Sequence, residues 1–311
     1  MVTPDRDGQL RDKAVNPGTA ARYGQAFGGW TAWLAERGAA GAEDLSLREV
    51  DKQLAAYLQS LYQGGAPKST AVAVICAVQH FRPECRGHLS TAWRHLRAWL
   101  HEEPGKCRTP WPAQLTLAMI ALAIMLQQEE VILLLALGFH CLLRPGEVFK
   151  LLVGDILIPD FQLWQTSVLG VISIRDPKTR RRGPKRQHVT IENQELLMWL
   201  KAYLADRAPE EPLIRDKRAL QKLIGTWLTQ LLGTHHSYTL AGLRGGGATF
   251  LYLLTQNVPW IQRRGRWSSS RTLDHYLSEA ATLISMTSWT LEAQRKVATL
   301  ASRAPDFLAR V

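Results

Sequence analysis

The sequence predicts a mainly α fold with a small antiparallel β-sheet, arranged as a helical N-terminal domain followed by a mixed α+β domain. Three observations predict it. Apolar residues recur at helical spacing through the first hundred residues, with no strand signal among them. A segment of prolines and charges then breaks both periodicities, and the alternating stretches that follow are confined to residues 163–191.

Tyr23, Phe27, Trp30, Trp33 and Leu34 form the first helical face, an aromatic row that reads as core. Val50, Leu54, Tyr57, Leu58 and Leu61 form the second, stopped by Gly64 and Gly65. A third follows Pro67, with Ser69 as the expected N-cap, and runs to Phe81; a fourth covers Leu89–Leu100. The proline-bearing segment gives the bounds: a helical domain over 1–103, a linker over 104–112 and a second domain over 113–311. Beyond the linker come two apolar helices, short strands at Leu163–Ser167, Gly170–Ile174 and His188–Ile191, and helix-period sequence from Glu195 onward.

The 311 residues are 46% hydrophobic, enough for a core in each domain. Thirty-eight Lys and Arg against 27 Asp and Glu leave a net charge of +11, which favours a polyanionic partner such as nucleic acid. Cys76, Cys85, Cys107 and Cys141 form no C-x-x-C pair, which argues against zinc and for reduced intracellular thiols. The N-terminus is polar and charged, unlike a secretory signal. The apolar runs Leu115–Leu126 and Val131–Leu143 each fall short of the roughly 18 residues of a membrane helix and read as buried helices of an intracellular protein.

Four clusters carry candidate chemistry. Arg144-Pro145-Gly146-Glu147 ends an apolar run, and alone it also fits a plain ion pair across one helical turn. Between two strands, Arg175, Lys178, Arg180, Arg181, Arg182, Lys185 and Arg186 make a basic turn suited to a phosphate backbone, or else a solvated basic loop or a localisation signal. Arg244 precedes three glycines that let a phosphate approach free backbone N–H groups, or let helices pack closely. Arg263-Arg264-Gly265-Arg266-Trp267 leads to Tyr276, which alone would read as core.

In order and spacing, these clusters resemble the tyrosine recombinase (phage integrase) family. The matching positions are Arg144, Lys178, Arg244, Trp267 and Tyr276, with nine residues from Trp267 to Tyr276. The resemblance implies a core-binding domain ahead of a catalytic domain, closing as a C-shaped clamp on double-stranded DNA. It implies site-specific cleavage and rejoining through a 3′-phosphotyrosyl intermediate, as in integration of a mobile element, with no cofactor or metal. Tyr276 would be the nucleophile. Arg144 and Arg244 would hold the non-bridging oxygens, with Glu147 orienting Arg144. Lys178 would protonate the leaving 5′ oxygen, and the Trp267 indole would donate a further hydrogen bond. Arg180, Arg181, Arg182, Lys185, Arg186 and Arg266 would contact DNA. The tail, through Leu283, Ile284, Met286, Trp289 and Leu291, would join a neighbouring protomer in a tetramer, or pack in cis.

One position departs from the pattern: the family's histidine three residues before the second arginine is Ala241 here. Loss of such a group costs on the order of a hundredfold in rate, and His235, His236 and His275 are candidates to compensate. The alternatives are a catalytically degenerate recombinase-like DNA binder and a basic regulator that never cleaves. A type IB topoisomerase shares the chemistry but fits the compact helical N-terminal domain less well.

Overall fold

The structure, a computed structural model, describes residues 14–105, 108–159, 170–177, 186–277 and 279–304. The chain divides into two compact units, Met1–Lys106 and Cys107–Val311.

The first unit holds α1 (Pro17–Glu36), α2 (Leu47–Gln63), α3 (Lys68–Phe81) and α4 (Ser90–Glu102). Asn16 caps α1, accepting from the Thr19 N–H at 2.8 Å, and Ser46 with Glu49 forms a capping box on α2. α3 begins two residues before a Ser69 cap would allow, because the Thr70 N–H closes the first turn on the Pro67 carbonyl. The aromatic row is core as expected: Trp30 and Leu34 are buried, and Phe27 and Trp33 pack against them. Asp51, buried on α2, accepts from the N–H groups of Thr91 and Ala92 at 2.9 Å each. A carboxylate thereby caps the first turn of α4 and fixes the packing of the two helices.

The second unit begins earlier than the expected linker end. Trp111 is fully buried, its indole N–H donates to the Thr239 carbonyl at 2.8 Å, and Thr109 bridges Tyr238. The prolines break periodicity, yet the indole anchors this stretch in the core. α5 (Ala113–Met125) and α6 (Glu129–Phe139) follow, apolar on nearly all sides and buried. Next come α7 (Pro145–Val148) and the antiparallel sheet of β1 (Ile156–Leu157), β2 (Gly170–Ile174) and β3 (Gln187–Ile191), in that order. Ile172 pairs with both Ile156 and Val189, and all three are buried, so the alternation of β2 is that of a half-covered sheet. The strand expected at Leu163–Ser167 lies outside the described residues.

The helices that close the unit are α8 (Gln194–Leu204), α9 (Lys217–Leu232), α10 (Leu243–Thr255), α11 (Val258–Gly265), α12 (Ser270–Asp274), α13 (Glu279–Thr287) and α14 (Leu291–Ala301). α14 packs on α5 and α9 through Ala293 and Val297, and Trp289 is buried beside them. Trp289 and Met286 therefore pack in cis rather than standing ready for a neighbour, whereas Leu283, Ile284 and Leu291 are exposed. Among the described residues, no helix is long and apolar enough to cross a membrane.

Candidate active site

After α6 the chain reverses through Leu142, which is buried with a φ of 51°, and Leu143, also fully buried, leads into Arg144. Arg144 stands at the N-cap of α7 with Pro145 in the first helical position, where its missing N–H is not needed. Glu147 folds back over this turn. Its Oε2 accepts from the Arg144 backbone N–H at 2.9 Å and its Oε1 from Arg144 Nη1 at 2.7 Å.

A second arginine meets the same carboxylate. α11 ends at Gly265, and Arg266 takes the left-handed conformation (φ 59°) that returns its side chain inward. Its Nη2 donates to Glu147 Oε2 at 2.8 Å and its Nη1 to Gln187 Oε1, at the start of β3, at 3.1 Å. The side chain is 9% exposed. Arg266, expected as a DNA contact, thus has its guanidinium engaged by Glu147 and Gln187. Burial alone would raise the Glu147 carboxyl, but the Arg266 hydrogen bond and charge, together with Arg144, outweigh it and hold it down at about 2.

Arg244 is the second residue of α10 and is 2% exposed. Its Nη2 donates to the Gly265 carbonyl, and its guanidinium lies 4.4 Å from the Trp267 ring and 5.8 Å from the Tyr276 ring. Trp267 and Tyr276 are themselves 5.1 Å apart. Among the described residues, Arg244 Nε and Nη1, Arg266 Nε and Trp267 Nε1 are buried without a hydrogen-bond partner. Burial first, then the charges of Arg144 and Arg266, bring the Arg244 guanidinium down to about 9, with Glu147 and Tyr276 opposing the shift. It remains a cation at neutral pH, buried with two donors that no protein acceptor takes.

The glycines serve packing rather than phosphate approach. Gly245, Gly246 and Gly247 lie inside α10; a Cβ on Gly246 would strike the Trp111 backbone and one on Gly247 the Phe139 carbonyl. Gly265 matters differently, since a Cβ there would occupy the place of the Trp267 ring that stacks on Arg244. Tyr276 sits in the turn after α12, its carbonyl accepting from Thr249 Oγ1 at 3.1 Å and its N–H donating to Leu273 O at 2.7 Å.

Arg144, Glu147, Arg244, Arg266, Trp267 and Tyr276 therefore come together from segments 132 residues apart. Lys178, Arg180, Arg181, Arg182 and Lys185 lie outside the described residues. Of the basic turn, Arg175 pairs with buried Asp155 at 2.5 Å, and Arg186 is exposed beside Gln187. Ala241 lies in the 3-10 turn before α10. None of the three histidines is seen to replace an imidazole there: His235 and His275 are exposed, and His236 shares a hydrogen bond with Thr229 Oγ1 and stacks on Tyr238. Sequence reasoning missed Gln187 and the sharing of Glu147; the residue type at 187 carries no signal for either.

The architecture is that of the tyrosine recombinases. Among solved structures, a lambda integrase dimer bound to a COC′ core site is similar at 15% identity and a TM-score of 0.53, over 87% of this chain and 74% of that one. A lambda integrase(75-356) dimer on the same site gives 16% identity and a TM-score of 0.52, over 87% and 92%. XerH site-specific recombinase bound to difH substrate gives 15% and 0.46, over 73% and 67%. In sequence, no protein-family model and no curated protein matches the chain.

Proposed function

We propose that the chain is a site-specific DNA recombinase or integrase that cleaves and rejoins strands through Tyr276. The phenolic oxygen attacks the scissile phosphorus and loses its proton. The bond to the 5′ oxygen breaks, and the 3′ phosphate stays on the tyrosine. Arg144 and Arg244 hold the non-bridging oxygens, where charge builds up in the transition state, and the Trp267 N–H adds a donor. Lys178, by resemblance, protonates the leaving 5′ oxygen. Attack by a 5′ hydroxyl on the phosphotyrosyl bond reverses the step, so rejoining consumes no nucleotide.

The observation that carries this reading is the buried Arg244 with two unpartnered donors, stacked on Trp267 beside Tyr276. Buried donors are ordinarily satisfied within the fold, and here two of them on one cation lie beside the Trp267 and Tyr276 rings. The net charge of +11 and the core-site-bound structures of this fold support a double-stranded DNA partner. The exposed Leu283, Ile284 and Leu291 are the tail residues left for contact with a second protomer.

Ala241 favours one second reading, a recombinase-like DNA binder that has lost cleavage. A pool of nicked suicide duplexes with randomised arms separates the two. The enzyme reading predicts covalent adducts recovered with the intact protein and absent with Tyr276→Phe. Salt-sensitive binding with no adduct from either protein would leave only the binder.

A further inference from the structure

We propose that Arg266 is a positioning residue: by sharing the Glu147 carboxylate with Arg144 and hydrogen bonding Gln187, it locks the phosphate-holding arginine and ties the anion pocket to β3. The inference rests on the recombinase reading and adds a residue to it.

Three observations carry it. First, an Arg144–Glu147 pair alone would be neutral and would spend the arginine's charge on its own carboxylate. With Arg266 on the same carboxylate, the trio of Arg144, Glu147 and Arg266 keeps a net positive charge for the incoming phosphate. Second, both carboxylate oxygens are filled. Oε2 takes the Arg144 backbone N–H and Arg266 Nη2, and Oε1 takes Arg144 Nη1, so neither Glu147 nor the Arg144 guanidinium is left free to swing. Third, Arg266 occupies a left-handed backbone position where glycine would sit without strain, and the inward side chain that results is committed to Glu147 and Gln187. Gln187 opposes Ile174 in the last pair of the β2–β3 ladder. Arg266 thus joins α7, the end of α11 and the start of β3.

Arg266→Gly suits the test because it removes the side chain while relaxing the backbone, and Arg266→Lys keeps the charge without the fork. On a recovered target duplex, Arg266→Gly should slow single-turnover adduct formation at saturating DNA at least tenfold while changing DNA affinity less than twofold, with Arg266→Lys intermediate. In parallel, the carboxyl carbon of Glu147, followed by NMR against pH, should titrate higher in Arg266→Gly than in the wild type. A loss expressed wholly as weaker DNA binding, or an unmoved Glu147 titration, overturns the proposal. If the wild type forms no adduct on any duplex, the recombinase reading fails by itself, and the Glu147 titration still decides whether Arg266 holds that carboxylate.

Discussion

Replacing Arg244 with methionine removes the charge and every donor while roughly filling the volume, and the structure predicts that the free protein tolerates this. The depression of the guanidinium from 12.5 to about 9 corresponds to an unfavourable environment of about 5 kcal/mol for the cation. Against it stand one charge-assisted hydrogen bond to the Gly265 carbonyl, about 1.5–3 kcal/mol, and stacking on Trp267, about 1–2 kcal/mol. The balance makes Arg244→Met neutral or stabilising by up to about 2 kcal/mol. For a unit of this size, that is a rise of up to roughly 4–8 °C in the thermal transition. Calorimetry at neutral pH reads it directly, and adduct formation on a nicked duplex should be abolished in the same variant. Added sulfate should raise the wild-type transition more than the variant's, because its general stabilisation is common to both while only the wild type has the two Arg244 donors. A drop of more than about 2 kcal/mol on removing the arginine would refute the reasoning, since such a loss is that of a structural residue with its donors satisfied.

Gly246→Ala should cost more than about 3 kcal/mol, because its Cβ meets the Trp111 backbone. Gly245→Ala, whose Cβ meets Tyr276 Cδ1 at 3.7 Å and Pro110 Cβ and the Tyr276 carbonyl oxygen at 3.8 Å, all at ordinary contact, should be neutral or better in chemical denaturation. Burial, with the Arg264 charge, pushes the His140 imidazole down to about 4 from 6.5, so the unfolded chain takes up this proton first. Stability should fall by up to about 3 kcal/mol as pH drops through that window, and urea titrations at pH 7 and 5 should show most of the fall, flattened in His140→Gln. Glu147, held at about 2 against an ordinary 4.5, contributes stability that is present above that ordinary value. A second loss is therefore expected only as pH falls from about 4.5 toward 2, and Glu147→Gln should remove it.

Much of this was legible because it depends on pattern. Helical spacing marked α1, α2 and α4, and alternating stretches marked β2 and β3 on either side of the basic segment. Arg144, Arg244, Trp267 and Tyr276 could be singled out because each stands in a short motif and their order is itself informative. What escaped depends on geometry that residue type does not encode. Arg266 reads as a DNA contact until its left-handed backbone turns it inward, and nothing in the residue type at Gly265 tells that the Trp267 ring folds over it. Three glycines in a row suit phosphate approach and helix packing equally well; only the nearness of Trp111 and Phe139 decides for packing. β1, at two residues, is too short to alternate, and Trp111 lay hidden among prolines that otherwise mark a linker.

The central claim is that Arg144 and Arg244 neutralise one phosphate in front of the Tyr276 hydroxyl. Its most direct test compares single-turnover cleavage of a target duplex carrying the natural scissile phosphate with one carrying a neutral methylphosphonate there. Arg144→Ala and Arg244→Ala should cleave the phosphodiester at least a hundredfold more slowly than the wild type and regain most of that loss on the neutral linkage. Equal impairment on both linkages would contradict the account.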